Sequence, residues 1–344
     1  MGRNLSPDPE RVAQALALVQ DLKEVRAAAR QLGIPEQTLG RWVRLHRRGE
    51  TGFQVEQPPS ARQPTIELVA RRKAQFRQLK RAEEQSRLIN VQVKMHGPVG
   101  ILHFGDPHVD DDGTDIEALE RHAELVRTTP GLFGANVGDT TNNWVGRLAR
   151  LYADQSTSAA EAWQLAEWFV ESVEWLYLVD GNHDLFSGAG NPLRWIMGRQ
   201  TGVHRASEVR LSLNFPNGAA VRINARHDFA GHSQWNPAHG VMKATTMGQR
   251  DHIAICGHKH VSGYGVLKDP ASGITCHAIQ VASYKVYDRY AKERGFRDQH
   301  ISPCCVTVID PTLPPTHPDL VKVIWDPEEG AEYLRWRRSR VVDK

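Results

Sequence analysis

Cysteine is scarce in this 344-residue chain. The four present, Cys256, Cys276, Cys304 and Cys305, show no Cys-x-x-Cys spacing, and two of them are adjacent. That pattern argues against a zinc knuckle or a disulfide framework and for buried, reduced thiols. Long apolar runs are missing too. No stretch is apolar enough to cross a bilayer, and Met1 to Glu10 contains no hydrophobic segment of a secretory signal, so the expectation is a cytoplasmic chain with no membrane role. The Met1-Gly2 start is followed by no basic cluster or second anchor, which argues against lipidation. Net charge is small, +3, but unevenly placed. Residues 1 to 95 carry 18 Lys and Arg against 10 Asp and Glu, the remainder 25 against 30, so the front of the chain is where a polyanion partner belongs.

What is present is a repeated pattern of short apolar runs that stop at metal-ligand residue types. Tyr177 to Val179 runs into Asp180-Gly181-Asn182-His183-Asp184, where Asp-Gly forces a turn at the end of a buried strand. Ile101 to Phe104 runs into Gly105-Asp106-Pro107-His108, Ala135 to Val137 into Gly138-Asp139, Val221 to Ala225 into Arg226-His227-Asp228, and Ile253 to Cys256 into Gly257-His258-Lys259-His260. Strand ends of an α/β sheet can bring such groups into one small volume. A pair of divalent ions needs a bridging carboxylate, and Asp139, emerging from a buried run at a Gly turn, is the natural bridge. Asp106 and His108 can chelate one ion, and His258 and His260 share their spacing. His232 and His239 compete with His227 as the lone histidine of the fourth block. His103 is expected to be buried, and Asp110, Asp111 and Asp112 to form a solvated loop or supply an extra ligand.

In this order the residues resemble the calcineurin-like metallophosphoesterase family, whose signature runs Asp-x-His, Gly-Asp, Gly-Asn-His-Asp/Glu, a lone His and Gly-His-x-His, over residues 97 to 310. The resemblance implies an α/β fold, a two-sheet sandwich flanked by helices, with two divalent metals. One metal would take Asp106, His108, Asp139 and His260, the other Asp139, Asn182, His227 and His258. Mn²⁺ is the first choice, with Fe²⁺ or Zn²⁺ as alternatives. It also implies a hydroxide bridging the metals as nucleophile, His183 acting on the substrate and Asp184 orienting its ring. Lys259 and Asp184 depart from the commonest pattern without removing a ligand. Lys259 could meet a substrate phosphate or point outward into solvent, and the segment Phe229 to Lys243, read as a loop, with Asn142, Asn143, Trp144 and Arg147, could line the cleft.

Residues 1–50 read as three helices forming a small all-α helix-turn-helix domain. Pro9-Glu10-Arg11 starts the first, Asp21 and Glu24 suggest a capping box for the second, and Gly33 ends it. Pro35 opens the third, with Leu39, Trp42 and Val43 inward. Ala27 to Trp42 also looks like modules of transposase and phage terminase chains. Gln37, Thr38, Arg41 and Arg44 would face DNA, with Arg47 and Arg48 near its phosphates. A protein-binding module is the competing reading, and Gly40 weakens the reading helix by about 1 kcal/mol. Residues 51–64 read as a linker, 65–95 as a basic connecting helix to about Asn90, 96–325 as the metallophosphoesterase domain, and 326–344 as a helical tail whose helix, Glu328 to Arg340 with Tyr333, Leu334 and Trp336, packs on that domain.

The combined expectation is a phosphodiesterase or nuclease acting on DNA, in a phage or prophage setting by analogy. A homodimer through the helical module stays open. The rivals are a phosphatase or cyclic-nucleotide phosphodiesterase for a small substrate, and a non-catalytic DNA-binding regulator.

Overall fold

A computed structural model of the chain describes residues 8–49, 62–186, 192–287 and 300–342. It divides into two units, Met1–Phe76 and Arg77–Lys344. Among the described residues no helix is long and apolar enough to cross a membrane.

The first unit is built from α1 (Pro9–Leu22), α2 (Val25–Leu32) and α3 (Glu36–Gly49). Asp8 caps α1 by accepting the Glu10 N–H, and Pro9 at the first position loses no hydrogen bond. Asp21 lies inside α1 rather than at the start of α2. Glu24 takes the cap position of α2 and makes no side-chain cap bond, so the expected capping box is not formed. Gly33 does end α2, at φ 61°, where its N–H reaches the Ala29 and Arg30 carbonyls. The next turn begins at Pro35, whose carbonyl accepts from Thr38 and Leu39. Ala15, Val19, Ala28, Ala29, Ile34 and Leu39 form the core, with Trp42 and Val43 packed on it.

Helix α4 (Thr65–Ser86) contains the boundary between the units and buries no residue. Its expected stripe of Ile66, Val69, Phe76 and Leu79 is exposed throughout. Residues 50–61 of the expected linker lie outside the described residues. The helix also stops sooner than the sequence suggested: Ile89–Gln92 is strand β1, paired in parallel with β6 (Glu208–Asn214), so the sheet takes in residues ahead of position 96. The alternation Ile89, Val91, Val93 is the strand signal that the helical reading overran.

The second unit is a sandwich of two six-stranded sheets. One has the order β12-β11-β2-β3-β4-β5 and the other β1-β6-β7-β8-β10-β9. In the first, β2 (Val99–Phe104), β3 (Leu132–Asn136), β4 (Trp175–Val179) and β5 (Val203–Arg205) run parallel, while β11 (Cys304–Ile309) and β12 (Val321–Ile324) close one side antiparallel. In the second, β7 (Ala220–Arg226), β8 (Ile253–Cys256) and β10 (Thr275–Gln280) are parallel, with β9 (Gly263–Lys268) antiparallel at the edge.

Strand β2 is buried on both faces, and its period of two sorts the layers. Val99 and Ile101 face the other sheet, together with Ala135, Tyr177, Ile223 and Ile255. Leu102 and Phe104 face α5 (Ile116–Thr128), α6 (Ala159–Glu171), α7 (Pro192–Met197) and the carboxyl-terminal helix α9 (Pro327–Val342). On the far side, α8 (His239–Met247) covers the second sheet through Val241, Ala254 and Ala278. The result is the α/β two-sheet sandwich flanked by helices expected from the sequence. Helix α9 packs on this core as expected of the helical tail, since Ala331 and Leu334 are fully buried in the same cluster as Phe104. His103 falls on the inner face, where Tyr177 Oη and Thr307 Oγ1 each lie 2.9 Å from a ring nitrogen. All four cysteines are free and buried.

Candidate metal centre

Parallel strands align their carboxyl ends, so the loops after β2, β3 and β4 leave one sheet at the same rim, and those after β7 and β8 leave the other. The pairing of β2 with β3 continues past the strands. Val137 N–H donates to the Phe104 carbonyl, His108 N–H to that of Asp139 and Val109 N–H to that of Thr140. This stitching holds Asp106, His108 and Asp139 together at the mouth of the sandwich.

The backbone is strained there. Among the described residues seven non-glycine residues have positive φ, and six lie in these loops: Asp106, His108, Asp139, Asn143, His258 and His260. Left-handed conformations at non-glycine residues cost of order 1 to 3 kcal/mol each and persist where the surroundings over-determine them, commonly at functional sites. Gly181 shows the closeness of the packing: a Cβ there would fall on Asp139 Oδ1 and the Asp139 backbone nitrogen.

The expected ligand atoms gather in two groups. In the first, His108 Nε2 is 3.3 Å from His260 Nε2, His260 Nε2 is 3.4 Å from Asp106 Oδ2, and His108 Nε2 is 3.9 Å from Asp139 Oδ2. In the second, His227 Nε2 is 3.0 Å from Asn182 Oδ1, 3.2 Å from Asp139 Oδ2 and 3.0 Å from His258 Nδ1. Asp139 Oδ2 belongs to both. His227, not exposed His232, is the histidine brought in, and its Nδ1–H donates to the Val137 carbonyl, which leaves Nε2 facing the cluster.

Residues of this chain fit a pair of cations. Ring nitrogens face one another at 3.0 and 3.3 Å, and Asp106 Oδ1 and His108 Nδ1 are buried with no hydrogen-bond partner. Asp139, His227 and His258 each offer an atom within 4.8 Å of the others. Burial pushes the Asp106 carboxyl up to about 7 although His227 and His260 pull it down. Burial likewise opposes charge on Asp139, yet the His227 charge beside it holds that carboxyl well below the usual range. Burial would lower His227, but Asp139 and Asp106 reverse this and push it up to about 10. Two carboxyl groups buried beside one imidazole mark a place that favours positive charge.

Several expectations need correction. Asp184 does not orient the His183 ring. Its carboxylate accepts from the backbone N–H groups of Gly181, Thr140 and Thr141. The His183 Nδ1–H instead donates to the backbone carbonyl of Asn142, at 2.6 Å, and its Nε2 lies 4.0 Å from Asp139 Oδ2. Lys259 neither points freely outward nor stands ready for a phosphate: it donates to the Gly231 carbonyl at 2.8 Å and pairs with Asp228 at 3.1 Å. Asp110 is buried rather than solvated, while Asp111 pairs with Lys285. The side chain of Arg147 lies outside the described residues.

Sequence reasoning missed the end of β10. Ser283 Oγ donates to the Asp106 carbonyl at 2.7 Å, and Lys285 Nζ sits over the Trp144 ring. The signal was available, because Val281-Ala282 runs straight into Ser283-Tyr284-Lys285.

In the first unit Gln37, Arg41, Arg44 and Arg47 are exposed on α3 and Thr38 is half-buried. Arg44 Nε donates back to the Gly40 carbonyl. The Arg48 side chain lies outside the described residues.

No family model matches the chain, and no curated protein matches it. Among solved structures, the calcineurin-like phosphoesterase YfkN from Bacillus subtilis aligns at 12% identity over 70% of this chain and 99% of its own, with a TM-score of 0.36. The NAD nucleotidase of Haemophilus influenzae aligns at 9% over 66% and 49%, with 0.36. The 5'-nucleotidase from Candida albicans aligns at 11% over 69% and 52%, with 0.32.

Proposed function

We propose, from the side chains gathered at the rim, that this chain is a dimetal phosphodiesterase acting on DNA, brought to it by the helical unit. The observation that carries the hydrolytic half is the division of the ligand atoms into two groups that share Asp139 Oδ2. Asp106, His108, Asp139 and His260 would hold one cation, and Asp139, Asn182, His227 and His258 the other. When bound, the pair supplies neutralisation of phosphoryl oxygens and a lowered pKa for water.

The protein's own groups do the remaining work. Because Nδ1–H of His183 is held by the Asn142 carbonyl, any proton the ring gives up toward the centre leaves from Nε2, the atom on the Asp139 side. Burial disfavours the imidazolium and the Asp139 carboxylate favours it; in that form the Nε2 proton would pass to a departing alkoxide, a contribution of roughly 10²- to 10⁴-fold. Trp144 and Phe186 pack on the same ring with centroids at 5.1 and 5.0 Å and limit its rotation. The DNA half is supported by the basic surplus of residues 1 to 95 and by the exposed arginines of α3.

The test is a nuclease assay with Mn²⁺ on single- and double-stranded DNA, comparing the full chain, Asp139→Asn and a chain starting near Arg77, which keeps β1. Cleavage by the full chain, loss in Asp139→Asn and a salt-sensitive decline in the shortened chain are expected. Equal cleavage by full and shortened chains would remove the delivery role. Hydrolysis confined to small esters and indifferent to salt would favour a small-substrate phosphatase.

A further inference from the structure

The site contains a histidine whose aim is set by a backbone carbonyl, and the residue that supplies that carbonyl is itself held, through its N–H, by a buried carboxylate outside both ligand groups. Asp110 is 1% exposed, and its Oδ1 accepts the Asn142 N–H at 2.7 Å. The Asn142 side chain donates to Asp111 Oδ2 at 2.8 Å, which pins the residue a second time. Asn143 then takes φ 40°, turning the peptide between the two asparagines, and its own side chain donates to the His183 carbonyl at 2.8 Å. The Asn142 carbonyl is left 2.6 Å from His183 Nδ1. The Asp110 backbone carbonyl accepts in turn from Gln155 Nε2, whose Oε1 receives the Trp144 indole N–H at 2.8 Å, and Trp144 packs edge-on against the His183 ring. Two arms therefore lead from Asp110 to one imidazole, one through the Asn142 backbone and one through Gln155 and Trp144.

We infer that Asp110 is the positioning residue of His183, acting through the Asn142 carbonyl, and that it governs the hydrolysis of esters whose leaving oxygen must be protonated. The kinetic consequence rests on the phosphodiesterase reading; the positioning does not. An ester with a leaving group such as p-nitrophenolate departs without a proton, whereas a phenyl or alkyl oxygen needs one, so a misaimed acid slows only the second kind. Loss of a metal ligand slows both.

Two measurements on the full chain decide this. The first is the ¹⁵N spectrum of the histidine rings. His183 shows the Nδ1–H tautomer with a slowly exchanging ring proton in the wild type and in Asp110→Asn, whose amide oxygen still accepts, and loses it in Asp110→Ala. An unchanged His183 signal in Asp110→Ala overturns the inference whether or not the protein hydrolyses anything. The second is a leaving-group series with Mn²⁺. Asp110→Ala lowers kcat on a phenyl phosphodiester about 10- to 100-fold, leaves bis(p-nitrophenyl) phosphate within about threefold, and leaves KM unmoved. Asp110→Asn restores the phenyl rate, and Asp110→Ala adds nothing to His183→Ala. Equal slowing of both esters, or additive effects in the double variant, overturns the inference. A wild type inactive on both esters sinks the phosphodiesterase reading, while the spectrum still decides the role of Asp110.

Discussion

The helical unit and the sandwich are held together in opposite ways. Among the described residues, the helical unit buries six apolar side chains and no polar one, so its charges all stay in water. The sandwich buries Asp106, Asp110, Asp139 and Asp184 with a group of histidines, and twists six loop residues into left-handed backbone around them. A buried carboxylate is tolerable only where it is hydrogen-bonded or paired. The apolar cores of the sandwich therefore support a rim that by itself opposes folding. The helical unit carries no such burden, and its outer face is free for electrostatics. The two units should fail under different insults, and each substitution below separates them.

The largest separation comes from Asp139→Asn. Removing the carboxylate shared by both ligand groups should reduce Mn²⁺-dependent hydrolysis by at least ~10³-fold, while DNA retention by the helical unit stays within about twofold. A filter-binding assay beside the nuclease assay checks it, and a parallel loss of both would erase the distinction between the units. The converse is Leu39→Ala. Leu39 is fully buried in a core with six buried residues among those described, and truncating such a side chain costs about 2 to 5 kcal/mol. A small helical unit has little more than that to lose. Its melting transition should drop or vanish and DNA binding with it, while hydrolysis of bis(p-nitrophenyl) phosphate is untouched.

Acid sharpens the contrast. Burial lowers His103 to about 3, and its neutral ring is held by Tyr177 and Thr307. The unfolded chain binds a proton at this residue below about pH 6.5 and the folded chain does not, so the contribution of neutral His103 is complete above 6.5 and is lost as pH falls toward 3. At about 1.4 kcal/mol per pH unit, the sandwich should lose about 2 kcal/mol between pH 6.5 and 5 relative to His103→Gln. Urea titrations at the two pH values measure the difference. The helical unit buries no titratable side chain among its described residues, and its transition should not move by this route.

How much of this was legible follows the same division. The convergence of the strand-end blocks at the rim could be read because each sits at the end of an apolar run, where the strand period and a Gly turn dictate which residues reach it. Parallel neighbours then bring those ends together. Asp184 misled for the opposite reason. Adjacency to His183 in the chain says nothing about contact once a 3-10 turn (Asp184–Phe186) swings the carboxylate back to Gly181 and Thr140. The group that does hold the ring is a backbone carbonyl, which every residue possesses and no pattern of residue types can reveal. Its aim depends on Asp110, distant in sequence and reachable only through the β2–β3 pairing. In the helical unit Gly33 marked the turn correctly because only its φ mattered. Asp21 failed as a cap because α1 runs on past it to Leu22.

The smallest effect tests the face of α3. Arg41 and Arg47 are exposed, and each would neutralise at most one phosphate. Counterion release makes log K fall with log salt by about 0.9 per phosphate neutralised. Arg47→Ala should therefore reduce the slope of DNA binding by about one and weaken binding only several-fold near physiological salt. Because the contact carries no base information, the loss should be uniform across sequences, and Gln37→Ala should change sequence preference instead. Hydrolysis of a small diester should be identical in all three proteins, since the arginine lies in a unit with its own core. If the salt slope is unchanged in Arg41→Ala and in Arg47→Ala, α3 is not the face that meets DNA. The exposed basic helix α4, with Arg71, Arg72, Lys73 and Arg77, becomes the next surface to alter.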